Sequence, residues 1–146
     1  MAATTTEFSN MLDIINRGSE TFIRKYYMAL DSNRDAIVDL FEPTAPIVFN
    51  GNPMVGGSSL TELYKKMPVT THDVTGHNCI PLAGGVNGLP SVVLTVEGKV
   101  RLGTDRSRGL HGFSETLVLR PQADGRFLVG STGYRYVYKS DDTFDP

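Results

Sequence analysis

Between Ser91 and Leu102 the chain alternates with a period of two. Val92, Leu94, Val96, Val100 and Leu102 share one parity, with Gly98 among them, and Val93, Thr95, Glu97, Lys99 and Arg101 share the other. Such a pattern places the two sets on opposite faces of a sheet, so the segment is predicted to be a long half-buried strand. Strands are also predicted over His111 to Arg120 and Phe127 to Tyr138, joined by a hairpin turn at Asp124-Gly125. Asp73 to Leu82 reads as a further, less regular strand. A sheet of this length must have at least one face covered, and the N-terminal half has to supply the cover.

It does so with helices. Phe8, Leu12, Ile15, Phe22, Tyr26 and Leu30 recur at helical steps and predict a first helix from about Phe8 to Leu30. Gly18 and Ser19 interrupt the stripe, a composition that lets a neighbouring element approach closely. A break at Asp31-Ser32-Asn33 leads to a second short helix, capped by Ser32 and carrying Ile37, Leu40 and Phe41, which Pro43 and Pro46 end. Ile47-Val48-Phe49 then reads as a strand, Asn50-Gly51 as a tight turn and Val55 as the return. A third helix follows, for which Ser59 and Glu62 have capping-box spacing and Leu60, Leu63, Tyr64 and Met67 form the apolar side. The expected fold class is α+β: a strongly bent antiparallel sheet with three helices on its concave face, in one domain spanning 1–146 with short flexible termini at about 1–6 and 140–146.

The charge balance narrows the partners. Fourteen basic and 16 acidic residues give a net charge of -2, without the basic excess that phosphate recognition requires. The chain has no apolar run long enough to cross a membrane, and MAATTTEFSN lacks the pattern of a secretory signal. Cys79 is the only cysteine and has no internal disulfide partner.

With helices on one face, the opposite face of the sheet is left to explain. It carries Val93, Thr95 and Glu97 on one strand and, if the parity of Leu128, Thr132, Tyr134 and Tyr136 faces the helices, Ser131, Gly133, Arg135 and Val137 on the last. A broad face that mixes small, apolar and sparsely charged side chains suits a subunit interface better than bare solvent.

Three stretches carry a family likeness: FIRKYYM at Phe22 to Met28, IVFNGNPMVGGSSLTEL from Ile47 to Leu63, and FSETLVL at Phe113 to Leu119 followed by GYRY, which ends at Tyr136. In their order and spacing the chain resembles the nuclear transport factor 2 family, and within it the small-subunit branch of the heterodimeric mRNA export receptor, the p15/Mtr2 proteins. The resemblance implies a cone-shaped fold that dimerises through its open sheet face with the similar domain of a large subunit. It also implies binding of phenylalanine-glycine nucleoporins by the heterodimer, a part in export of mRNA and large ribosomal subunits, and shuttling between nucleus, pore and cytoplasm. By that likeness Arg135 matches an interface arginine facing an acidic residue of the large subunit, and its planar fork suits a carboxylate. In the family's Ran-GDP carrier, acidic residues surround the cavity mouth. This chain has Asn50 at one of those positions and Thr104-Asp105-Arg106-Ser107-Arg108 near the others, a poor match to a cationic partner.

The same fold hosts isomerases and dehydratases, so acid–base candidates need weighing: His77, His111, Glu115, Asp73, Tyr26 and Tyr134. His111 and Glu115 stand about 13 Å apart along an extended strand, and His72 and Asp73, being adjacent, point to opposite faces. No catalytic pair, cofactor site or metal site is therefore assigned. Cys79 and His77 share a parity, but two ligands do not make a zinc site. Arg101, Arg106 and Arg108 form a candidate phosphate patch, with RNA or ribosomal particles reached only in the assembled complex.

Overall fold

The computed structural model describes residues 4–86, 88–107 and 109–137; Arg108 and Tyr138, both named above, lie outside the described residues. Helix α1 runs over Thr5–Ser32. It starts earlier than its apolar stripe suggests because Thr4 and Glu7 form a reciprocal capping box: the Glu7 amide donates to Thr4 Oγ1 (3.1 Å) and the Thr4 amide to Glu7 Oε2 (3.3 Å). Its buried side is set by Ile15, Ser19, Ile23, Tyr26, Tyr27 and Leu30, whereas Phe8 is exposed.

The second helix is a 3₁₀ helix, Arg34–Leu40. Its N-cap is Asn33, and the side chain of Ser32, the expected cap, donates instead to the Met28 carbonyl. Arg34 fixes the corner. Its guanidinium donates to the carbonyls of Leu30 (3.0 Å), Met67 (3.0 Å), Pro68 (2.7 Å) and Tyr64, tying the end of α1 to the end of the next helix. That helix, α2, spans Gly57–Lys66. Gly56 is its N-cap, and Ser59 donates to the Val55 carbonyl, so the expected Ser59/Glu62 capping box does not form.

Six strands build one curved sheet: β1 Pro46–Phe49, β2 Asn52–Val55, β3 Thr70–Val86, β4 Leu89–Leu102, β5 Leu110–Pro121 and β6 Phe127–Val137, in the order β2-β1-β6-β5-β4-β3. The pairs are antiparallel except β1–β6, which is parallel, so the sheet is mixed rather than antiparallel throughout. The short connection between β1 and β2 is a two-residue turn in which Asn50 (φ 48°) and Gly51 (φ 86°) both adopt positive φ, the requirement of a type I′ hairpin.

Irregularities in β3 and β6 bend the sheet and disturb its alternation. In β3 the register shifts between Val74 and Gly76, so the inward set changes from Thr70, His72 and Val74 to His77 and Cys79. Opposite lies Gly98, where a Cβ would sit 2.1 Å from the Asp73 carbonyl oxygen and 3.0 Å from Phe113. In β6 the shift between Val129 and Ser131 makes Val129 and Thr132 both buried. Leu128, expected on the inner parity with Thr132, is only half-buried for that reason. Within the concavity the aromatic rings form one cluster: Phe49 stacks on Tyr134 (centroids 5.1 Å apart) and Phe113 on its other side (5.6 Å).

Candidate functional site

The interior of the cone is polar where an enzyme's would be, but it is closed. Glu115, on β5 between buried Phe113 and Leu117, is 1% exposed. Its carboxylate accepts hydrogen bonds from Tyr26 Oη (2.7 Å), Tyr27 Oη (2.9 Å) and Thr132 Oγ1 (2.6 Å). Burial nonetheless outweighs these donors and holds its pKa above the usual carboxylate value. Beside it, the His72 amide donates to Asp31 Oδ2 (2.8 Å), its Nδ1 lies 2.6 Å from Asp31 Oδ1, and its Nε2 lies 2.8 Å from Tyr134 Oη. Asp31 also accepts from Thr70 Oγ1 (2.7 Å). A consistent assignment has Tyr134 donating to Nε2 and Nδ1–H donating to the carboxylate. Burial first, then the neighbouring Glu115 carboxylate, pushes the phenols of Tyr26 and Tyr27 well above their ordinary range.

An Asp–His pair is the shape of a general base, yet here both ring nitrogens are occupied and the His72 side chain is fully buried. The space among Tyr26, Phe49, Leu60, Tyr64, Glu115 and Tyr134 does not admit a water molecule. The network therefore satisfies buried polar groups and fixes the packing of α1 on the sheet. The other histidines lie elsewhere: His77 is half-buried in β3 opposite Val96, and His111 packs on Tyr136 with centroids 5.3 Å apart. Asp73 is exposed, in register with Lys99.

Among the described residues nothing covers the opposite face of the sheet. Strand register arranges it in rows. One row runs Ile80–Val93–Val118–Ser131, the next Asn78–Thr95–Thr116–Gly133–Val48, and the third Glu97–Ser114–Arg135, with Val137 beyond, in register with Gly112. All seven residues expected at an interface thus share this face, and none faces the core. Val48 is 46%, Ile80 52% and Val137 45% exposed. A shallow depression of about 510 Å³ lies over Val48, Asn50, Ser114, Thr116, Gly133 and Arg135. Arg135 is exposed and makes no ion pair with any other described residue, and the Glu97 carboxylate in its row is two strands away, about 10 Å.

The edge near the β4–β5 loop is less free. Arg101 Nη1 donates to the Arg106 carbonyl (2.8 Å) and clamps that loop, leaving Arg106 exposed. Asp105 accepts from the Ser107 amide (2.9 Å) and hydroxyl (2.7 Å), which hold its carboxyl below the usual range. Asn50 Oδ1 accepts from the Tyr136 amide (3.4 Å).

A closed cone with one open sheet face matches a family of transport factors in sequence as well as shape. Residues 13–128 match the family described as nuclear pore RNA shuttling protein Mtr2. The chain belongs to the Mtr2 family. An NTF2-related export protein of Caenorhabditis elegans is 34% identical over 136 residues, covering 92% of this chain and 96% of the relative. Among solved structures, the Candida albicans Mtr2–Mex67 M domain complex shares the fold with a TM-score of 0.66 at 18% identity, over 86% of this chain and 97% of that one. A putative scytalone dehydratase from Novosphingobium aromaticivorans shares it equally well, with a TM-score of 0.73 at 11% identity over 94% and 93%. Shape alone thus spans transport factors and enzymes, and the sequence match is what places this chain in the Mtr2 family.

The parts that Asp31, Tyr27, Thr132 and Arg34 play in these hydrogen-bond networks escaped the sequence reading. Asp31 and His72 stand 41 residues apart, a spacing with no local signature. Glu115 did carry a signal: it is a carboxylate at an inward position between Phe113 and Leu117.

Proposed function

We propose that this chain is the non-catalytic small subunit of a heterodimeric mRNA export receptor. Its uncovered sheet face packs on the similar domain of a large subunit, the counterpart of the Mex67 with which the Candida albicans protein was solved. The observation that carries this reading is the continuous outer face of Val93, Thr95, Glu97, Ser131, Gly133, Arg135 and Val137, whose single arginine has no described partner within the chain. A stable interface of this type buries more than about 1,000 Å² in total, and a carboxylate of the large subunit opposite Arg135 completes its charge.

Paired in this way, the chain stabilises its partner and supports binding of phenylalanine-glycine nucleoporins during export of mRNA, with large ribosomal subunits as a further cargo, from nucleus to cytoplasm through the pore. Arg106 stands at the edge of the face, where RNA would be met in the assembled complex. Among the described residues no acidic cluster surrounds Asn50 and Asp105, which speaks against carriage of Ran-GDP, and the filled cone speaks against a dehydratase-like activity.

The test is recovery of the tagged chain from nuclear extract at about 0.15 M salt, which screens exposed charge beyond roughly 8 Å, with mass spectrometry of stoichiometric partners. A one-to-one partner bearing a similar domain, recovered with nucleoporins, is the expected result. A homodimer with Ran-GDP, or a monomer that turns over a small molecule, would overturn the proposal.

A further inference from the structure

The depression over the open sheet face, about 510 Å³ in volume, has a lining of one chemical kind. Strand register sets it out. Arg135 stands opposite Ser114, and Gly133 stands between Thr116 and Val48. Asn50, in the β1–β2 turn, closes one end. The side-chain groups on offer are the Arg135 guanidinium, the hydroxyls of Ser114 and Thr116, and the Asn50 amide. Arg135 makes no ion pair among the described residues, and neither hydroxyl has a hydrogen-bond partner there.

Asn50 is oriented by the fold. Its side chain lies within 3.4 Å of the Tyr136 amide. A backbone N–H can be met only by the oxygen of a carboxamide, so Oδ1 is the accepting end and Nδ2 is left to donate. Gly133 makes the room. Glycine weakens a strand and is understandable where another group approaches closely. No atom lies within 4 Å of where its Cβ would be, and Thr116 and Val48 on either side are exposed.

Arg135 is the charged residue of the lining, which holds no carboxylate. The nearest acidic side chain in the strand register is Glu97, across Ser114 on β4 and about 10 Å from Arg135. Beyond it the signs alternate: Lys99 follows on β4, and Asp73 stands opposite Lys99. Donors from β5, β6 and the β1–β2 turn thus converge on a space without an anion, and Glu97 bars an acidic group from the β4 side.

We infer that this depression seats one aspartate or glutamate of the large subunit. The acidic side chain enters over Gly133, and Arg135, Ser114 and Asn50 hold its carboxylate together, with charge-assisted hydrogen bonds whose direction the guanidinium fork fixes. Asn50 and Gly133 set the specificity, one by sign and one by space. The inference rests on the reading of this face as the large-subunit interface and names the residues that select the partner.

The test is calorimetry of the full chain against the similar domain of the proposed large subunit, with a melting curve for each variant. Asn50→Asp keeps an oxygen for the Tyr136 amide and a residue that tolerates positive φ, but turns a donor into an anion. It should weaken binding by about tenfold or more at an unchanged melting temperature. Asn52→Asp, the same change two residues away and outside the depression, should cost less than about threefold. Gly133→Val puts a strand-forming side chain into open space, so it should keep or raise the melting temperature while weakening binding by about tenfold or more. Ser114→Ala and Arg135→Gln should weaken it by about fivefold and tenfold. Combined, they should lose less than the product of the two, because both groups hold one carboxylate. The chain alone should be monomeric by light scattering.

The inference is overturned, with the interface left standing, if the parent binds while Asn50→Asp and Gly133→Val bind as well as it does. It is equally overturned if Asn52→Asp is as damaging as Asn50→Asp or if the losses at Ser114 and Arg135 simply multiply. A dimer of the chain alone that Glu97→Gln dissolves would make a second copy the occupant and overturn it too. A parent that does not bind overturns the reading of the face and this inference together.

Discussion

Raising the pH above 10 should unfold this protein through its tyrosines. Tyr26, Tyr27, Tyr64 and Tyr134 are all under 6% exposed. Burial, reinforced for each by the Glu115 carboxylate, raises their phenol pKa values above the ordinary one. In the unfolded chain the same phenols ionise near pH 10. Between those limits the unfolded state has lost its protons and the folded state has not. Stability is therefore fully present below about pH 10 and falls as pH rises beyond it. At pH 11 each buried phenol removes about 1.4 kcal/mol, roughly 6 kcal/mol for the four. That is comparable to the whole stability of an ordinary domain, about 5–15 kcal/mol, so unfolding should set in close to pH 11. The chain has no tryptophan, which leaves tyrosinate absorbance at 295 nm unobscured. Absorbance and far-ultraviolet circular dichroism followed together should change in one cooperative step. Tyr64→Phe should recover about 1.4 kcal/mol of the loss at pH 11, a quarter of it. Smooth ionisation around pH 10 with the dichroism intact would refute the reasoning, because it would mean that the cone admits water.

Arg34→Ala should destabilise the fold by about 2–4 kcal/mol in urea denaturation, since it strips charge-assisted hydrogen bonds from the carbonyls that end α1 and α2. Arg34→Lys should recover only part of this, because an ammonium does not span the same carbonyls. Gly98→Ala should cost about 2 kcal/mol or more, because its methyl meets the Asp73 carbonyl, a backbone atom that moves only if the bulge is rebuilt; thermal melting measures it, and an unchanged melting temperature would show that the bend is not held there.

Much of the frame was legible in the chain. The alternation of β4 marks both faces of the sheet, and from it the outward set Val93, Thr95 and Glu97 follows without any structure. Alternation misleads where a strand bulges. One extra residue at Thr75 or Gly130 exchanges the faces, which is why β3 read as irregular and Leu128 was placed with Thr132. Parallel pairing of β1 with β6 was hidden because nothing local distinguishes the two directions for so short a strand. Capping was legible in kind but misplaced: Thr4-Glu7 closes the box that Ser59-Glu62 does not, since Gly56 at φ 84° starts α2 before Ser59 can cap it. Interactions that join distant segments, Asp31 with His72 or Arg34 with the end of α2, left no pattern because tertiary packing alone creates them. The family likeness read from FIRKYYM, IVFNGN and FSETLVL was borne out by the Mtr2 match over residues 13–128.

The most direct test of the central claim is titration calorimetry of the purified chain against the similar domain of the proposed large subunit, with light scattering to fix the stoichiometry. Tight one-to-one binding is expected. Arg135→Glu should weaken it by at least about a hundredfold, roughly 2.7 kcal/mol, while leaving the melting temperature of the chain alone unchanged, since Arg135 is exposed. Thr116→Arg, at the middle of the uncovered face, should abolish binding. Unchanged affinity in both variants, or no binding by the parent, would contradict the assignment of this face as the interface.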